Sequence, residues 1–323
     1  MSRDQPGDAS TMRDATDRQP ARNYLGAVLW MMGSLVAFTL VAIGSRFAAK
    51  SLGVIEIMFW RNITALTVLV VAVPLFTRSL KAFATDQIGR HIVRNVIHFW
   101  AQYAWLTALT LIPLAQLFAL EFTAPLWVAL LAPLILHEKL TPIRLLAAAL
   151  GFAGAMIVIK PGSTALSEGT IAALLSALGF AISLILVKQL VRRDSATTIL
   201  FYMVFLQTIP SMLLSWNKLH IPDHATLGWI AVLALSSLAA HFSLVRAFAL
   251  ADAIVVAPLD FLRLPLIAVV AAMAFAEPLD PLVLVGGTVI VIANLVNMWG
   301  ERRPAKVGPA KVGMPRGNSK KES

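Results

Sequence analysis

The chain has 323 residues, of which 58% are hydrophobic and 14% charged, with a mean hydropathy of +0.77 and a net charge of +10. A soluble domain carries about 25% charged residues and could not hide this much apolar surface from water, so the composition excludes a water-soluble fold and points to an all-α membrane protein. The absence of cysteine removes disulfides, thiolate metal sites and cysteine nucleophiles, and the six histidines are scattered without an HExxH pattern, so no metal centre and no cofactor is expected.

A transmembrane helix needs about 20 mostly apolar residues to cross the hydrocarbon core. Residues 1–22 are polar and mixed in charge, which reads as a disordered tail and not as a cleaved signal peptide. Apolar runs then predict ten spans, at 24–46, 55–76, 94–111, 115–136, 142–160, 170–188, 196–216, 225–249, 254–276 and 281–298. They group into two sets of five, residues 23–161 and 168–299, followed by a basic disordered tail at 300–323.

Lysine and arginine fall mainly in alternate gaps between the spans. With a cytoplasmic N-terminus the outer gaps hold only Arg46, Lys50, Lys160 and Lys218, whereas the inner ones hold Arg90, Arg94, Arg144, Lys188, Arg192, Arg193 and most of the basic residues of the tails. This bias puts both termini in the cytoplasm and the chain in the plasma (inner) membrane. It also accounts for the net positive charge without a nucleic-acid partner; the expected partners are a lipid bilayer and a small-molecule substrate.

The two halves repeat one another. A shift of 139 residues sets Leu120-Glu121-Phe122 on Leu259-Asp260-Phe261, Glu138 on Glu277, Thr141-Pro142 on Asp280-Pro281, and Ala147-Ala148 on Gly286-Gly287. The polar matches carry the weight, because carboxylates inside apolar runs are rare. Five spans per half is an odd number, so the second half enters the membrane upside down relative to the first. Inverted repeats of this kind suit secondary transporters, in which exchanging the conformations of the halves opens the opposite side.

With Arg61 following Phe59-Trp60 in the second span, and with the matched segments 106–162 and 245–296, the chain resembles the EamA-type transporters of the drug/metabolite transporter superfamily over residues 24–299. The resemblance implies ten helices in inverted repeats around a central cavity for small metabolites. It names neither the solute nor the direction of movement.

Candidate residues for a substrate or proton path follow from burial cost. A charged carboxylate facing lipid costs roughly 2.5–3.5 kcal/mol, so Glu121 and Asp260 are expected to face a cavity, to be paired, or to be protonated. Their inverted spans put them at opposite depths. Arg61 and Arg263 are the natural partners; Arg263 stands three residues after Asp260, and Arg61 is expected at the depth of Glu121. A fixed pair would hold the repeats in register, a switching pair would gate, and an unpaired arginine could bind a solute carboxylate or phosphate.

The third span carries Arg94, His98, Gln102 and Trp105 on one stripe that lipid would not tolerate. Tyr103, Gln116 and Trp60 are further candidates for an amphipathic pocket. Glu138 and Glu277 are expected to cap the helices that follow them. The small residues Ala147, Ala148, Gly151, Gly154, Gly286 and Gly287 allow close helix approach, either within the chain or between two copies in a homodimer. An intramembrane enzyme would need an acidic cluster, paired histidines or a nucleophile, and none is evident; no phosphate loop or repeated filter is evident either. A receptor-like protein without transport is the remaining alternative, and it has no use for a duplicated, inverted half.

Overall fold

A computed structural model describes residues 24–77, 83–136, 141–160, 167–250 and 259–301. The described residues form eleven helices: α1 (Tyr24–Ala48), α2 (Val54–Thr77), α3 (Ile88–Leu111), α4 (Leu114–Glu121), α5 (Ala124–Leu136), α6 (Pro142–Ile159), α7 (Glu168–Leu190), α8 (Ala196–Ser215), α9 (His224–Leu250), α10 (Arg263–Phe275) and α11 (Pro281–Glu301). Because α4 and α5 share one apolar run, these amount to ten segments, and eight of them are long and apolar enough to cross a membrane. The other two are α3, which is long but polar on one face, and α10, which has only 13 described residues.

The third segment begins at Ile88, earlier than the sequence pattern suggests. Its first two turns hold His91, Arg94 and Asn95, which the apolar pattern takes for a boundary. All three are buried against neighbouring helices, so the polar turns lie inside the bundle. The fourth segment is broken. Residues 122–123 form a turn between α4 and α5, and residues 261–262 form a turn directly before α10. The shift of 139 residues that aligns the halves superposes these two breaks, each directly after an acidic residue.

A break in a membrane helix frees backbone groups that only protein can satisfy. Here Asn294 of α11 donates to the Phe122 carbonyl at 2.9 Å, and Thr123 Oγ1 donates to the Leu120 carbonyl at 2.7 Å. Six of the eight residues of α4 are buried, so this short helix sits at the centre of the main core with Leu264, Ile267 and Ile290 around it.

Helix pairing is symmetric under exchange of the halves. α1 packs on α9 and α3 on α7, a pair of contacts that the exchange interconverts, while α2 on α8 and α6 on α11 map onto themselves. The α6–α11 crossing is close because both helices present glycine. A Cβ on Gly154 would lie 2.8 Å from the Gly286 carbonyl oxygen, and one on Gly286 would lie 2.6 Å from that of Gly154. The small-residue face is thus used within the chain. Large apolar side chains such as Leu25, Leu29, Val36, Leu134 and Met273 point outward, as a lipid-facing surface requires.

Ion pairs at the helix ends agree with the alternation of the segments. At one end Arg46 pairs with Glu277, Lys160 with Asp280, and His220 Nδ1 with Glu56 at 3.0 Å. At the other end His91 Nε2 meets Asp194 at 2.8 Å and Arg193 meets Asp86 at 3.2 Å. In each of these pairs among the described residues, both partners lie on the side to which the sequence pattern assigns them.

Candidate functional site

The two breaks meet around one guanidinium. Arg263, the first residue of α10, reaches Glu121 Oε1 at 3.3 Å and Asp260 Oδ2 at 3.1 Å. The other oxygen of Glu121 accepts a hydrogen bond from Trp105 Nε1 at 2.7 Å. The rings of Phe38, Phe118 and Phe122 stand 4.8, 5.3 and 5.2 Å from the guanidinium carbon. A buried cation needs both opposite charge and polarisable surroundings, and this aromatic cage with two acids supplies both. With all three groups ionised the node carries a net charge of −1, so one proton or one cationic group would neutralise it.

The expectation that Glu121 and Asp260 lie at opposite depths is corrected here, because they share Arg263. α4 has eight residues, so Glu121 lies about 12 Å below its start, close to the middle of a core about 30 Å thick. Inversion about a midplane leaves a residue near the middle where it was.

Arg61 is not at this node. Its Nη2 donates to Gln102 Oε1 at 2.6 Å and to Asn62 Oδ1 at 2.9 Å, and among the described residues no carboxylate lies within ion-pair distance. The expected pairing with Glu121 is not made: Arg61 turns to Asn62 and Gln102, and the groups that meet Glu121 are Trp105 and Arg263. Depth alone does not say which helix faces meet.

The stripe on α3 runs between these groups. Trp105 touches the acidic node and Gln102 holds Arg61. His98 Nδ1 lies 3.2 Å from Ser183 Oγ on α7, and Arg94 Nη1 donates to Asn95 Oδ1 at 2.9 Å. From Arg94 to Trp105 the helix rises about 16 Å, roughly half the hydrocarbon thickness. His241 of α9 packs edge-on to Phe38 at 5.5 Å, and Phe38 in turn covers Arg263.

Other candidates lie apart from this centre. Tyr103 lines a groove of about 680 Å³ between α3 and α7 with Trp100 and Leu175, and this groove is apolar and opens sideways. A second groove of about 470 Å³ lies between α1 and α9, and neither groove includes the polar groups described above. Gln116 Nε2 makes a 3.4 Å bond to Thr170 Oγ1, tying α4 to α7. Trp60 Nε1 donates to the His220 carbonyl at the end of the bundle that also holds Glu56.

Glu277 caps a helix, but not the next one. It accepts from the Leu114 amide at 2.7 Å, at the start of α4, and pairs with Arg46. The following helix is capped by Asp280, which accepts from the Leu282 amide at 2.9 Å; its counterpart Thr141 caps α6 through the Arg144 amide. Glu138 lies outside the described residues. The sequence pattern also left out Asn62, Asn95, Gln207 and Asn294, although an amide inside an apolar run is the signal that finds them.

The chain matches the EamA-like transporter family over residues 25–160 and 167–299. It belongs to that family. This EamA-like chain is therefore a membrane transporter of small molecules and not an enzyme. It is 31% identical over 277 residues to a riboflavin transporter of Brucella anthropi, covering 83% of this chain and 96% of that one. It is 26% identical over 282 residues to an S-adenosylmethionine uptake transporter of Rickettsia prowazekii, covering 87% of this chain and 95% of the relative. A solved crystal structure superposes with a TM-score of 0.61 at 15% identity, covering 86% of this chain and 98% of its own, which supports the fold.

Proposed function

We propose that the chain is a secondary active transporter that moves a small metabolite by alternating access between two inverted five-helix repeats, with the Glu121–Arg263–Asp260 node as its coupling centre. The observation that carries this reading is the meeting of two sequence-matched breaks at one buried ion cluster. Half-helices joined by unwound backbone at the midplane are where secondary transporters bind substrates and ions. The symmetric pairing of α1 with α9 and of α3 with α7 supports two exchangeable halves. The basic-residue bias supports cytoplasmic termini and an inner-membrane location.

In this mechanism the Arg263 guanidinium clamps α4 to α10 while Glu121 is ionised, and a proton or cationic group arriving at Glu121 weakens that ion pair and loosens α4 from α10. Because α4 is buried on nearly every side, such a shift would move the core between the halves. Riboflavin and S-adenosylmethionine, named for the relatives, are the first solutes to try.

The test is flux into proteoliposomes under an imposed pH gradient, comparing wild type with Glu121→Gln and Asp260→Asn. Coupling to the gradient should disappear in at least one variant while downhill movement persists. Equal, gradient-driven flux in all three proteins would refute the coupling role and leave the node as a structural clamp.

A further inference from the structure

The acidic node uses both of its carboxylates on Arg263, and this leaves two other buried arginines without counter-charge. Arg61 is 7% exposed and Arg94 is 5% exposed, and among the described residues neither forms an ion pair. One turn away on α3, His91 meets Asp194. Its Oδ2 meets His91 Nε2 at 2.8 Å, Gln87 Nε2 at 3.1 Å and Thr85 Oγ1 at 2.9 Å, and no ion pair joins it to Arg94.

What holds the two guanidiniums is a set of neutral amide oxygens. Arg61 donates from Nε and Nη2 to Asn62 Oδ1 at 3.2 and 2.9 Å, a two-pronged grip, and also to Gln102. Arg94 donates to Asn95 Oδ1, which also accepts from Gln207 Nε2 at 3.2 Å. Several polar atoms in the same region are buried with no partner at all: Arg94 Nε, Asn62 Nδ2 and His98 Nε2. All three can donate, given the matching His98 tautomer. His98 and His241 lie within electrostatic reach of both arginines.

A buried cation without an opposite charge is costly, and neutral acceptors offset only part of that cost. A guanidinium fork is shaped for two oxygens of one carboxylate or phosphate; here an amide oxygen takes the fork of Arg61, and Arg94 bonds Asn95 from Nη1 with its Nε unpartnered. We propose that Arg61 and Arg94, with Asn62 and His98, form an oxyanion subsite on α2 and α3 that takes the carboxylate or phosphate group of the transported solute. The proposal rests on the transport reading for its biological meaning, but not for its test.

The test uses inorganic phosphate as the probe and the full chain purified in detergent. Melting temperature is measured in phosphate and in chloride at equal ionic strength, for wild type, Arg61→Gln, Arg94→Gln and the exposed control Arg193→Gln. At ten times half-saturation wild type and the control should gain about 2–4 °C from phosphate, and each core variant should lose most of that gain. No phosphate effect in wild type, or an equal effect in both core variants, would overturn the subsite. Should the glutamine variants not fold, Arg61→Lys and Arg94→Lys keep the charge but lose the fork, and the wild-type comparison decides by itself. A phosphate effect at these arginines in a protein that moves nothing in liposomes would sink the transport reading and keep the subsite. Solute flux from a protein blind to phosphate would do the reverse.

Discussion

Arg263 balances two acids with one guanidinium, so its removal and the removal of the whole cluster should differ. In Arg263→Gln two carboxylates face one another with no cation between them, and a buried pair broken in this way loses about 3–5 kcal/mol. The triple change Arg263→Leu with Glu121→Gln and Asp260→Asn removes the charges together and should recover more than half of that loss, measured by denaturant unfolding in detergent. If the triple variant is as weak as the single one, the guanidinium acts through its packing on Phe38, Phe118 and Phe122. The Asp260–Arg263 spacing was legible in the sequence as an i, i+3 relation, but the bond from Trp105 to Glu121 was not, because it joins two segments whose facing sides no periodicity specifies. Asp280 shows a simpler case at the membrane boundary, where a hydrogen bond from Lys160 holds its carboxyl below the ordinary carboxylate range. A lowered value means the pair contributes at neutral pH and fades only as the pH falls below about 4, through the folded-state value. Asp280→Asn should therefore lower the melting temperature at pH 7, and the difference from wild type should shrink steadily as the pH is taken below about 4.

At the scale of elements, the apolar runs marked nearly every described helix, and their limits differ mainly where polar residues are buried. The start of α3 was read late because His91, Arg94 and Asn95 look like a boundary and are in fact interior. The breaks after Glu121 and Asp260 escaped the pattern altogether, since hydropathy counts residues and is blind to a two-residue turn. Asn294 is the residue that makes the first break tolerable, because it satisfies the Phe122 carbonyl in a place without water. Asn294→Leu should leave that carbonyl unpaired and reduce stability by about 1–3 kcal/mol, with the loss read as a lower unfolding midpoint. Wild-type stability in that variant would mean that the α4–α5 turn finds another donor. The glycines of α6 and α11 have the opposite logic, since their role is space: a Cβ at Gly154 already meets backbone at 2.8 Å.

For the whole molecule, the charge pattern divides the buried centre into an acidic node with one spare negative charge and an arginine pair with two spare positive ones. The stripe on α3 connects them, so a solute carrying both signs could be held along a single helix. Under the alternating-access proposal such a centre opens to one side at a time, and the ion pairs at the ends of the bundle are the contacts that would part. At the end assigned to the outside by the proposed orientation, Glu277, just before α11, clasps Arg46 of α1 and the first amide of α4, and so ties the two sequence-matched halves together. The chain contains no cysteine, which makes this clasp directly testable. Arg46→Cys with Glu277→Cys, joined by a short bifunctional maleimide that contains a cleavable disulfide, should stop solute flux in proteoliposomes. Cleavage of the linker should restore it. Each single variant treated in the same way controls for loss of the ion pair itself. Continued flux through a verified cross-link would mean that the outer end stays closed throughout the cycle and that the solute reaches the arginines by another route.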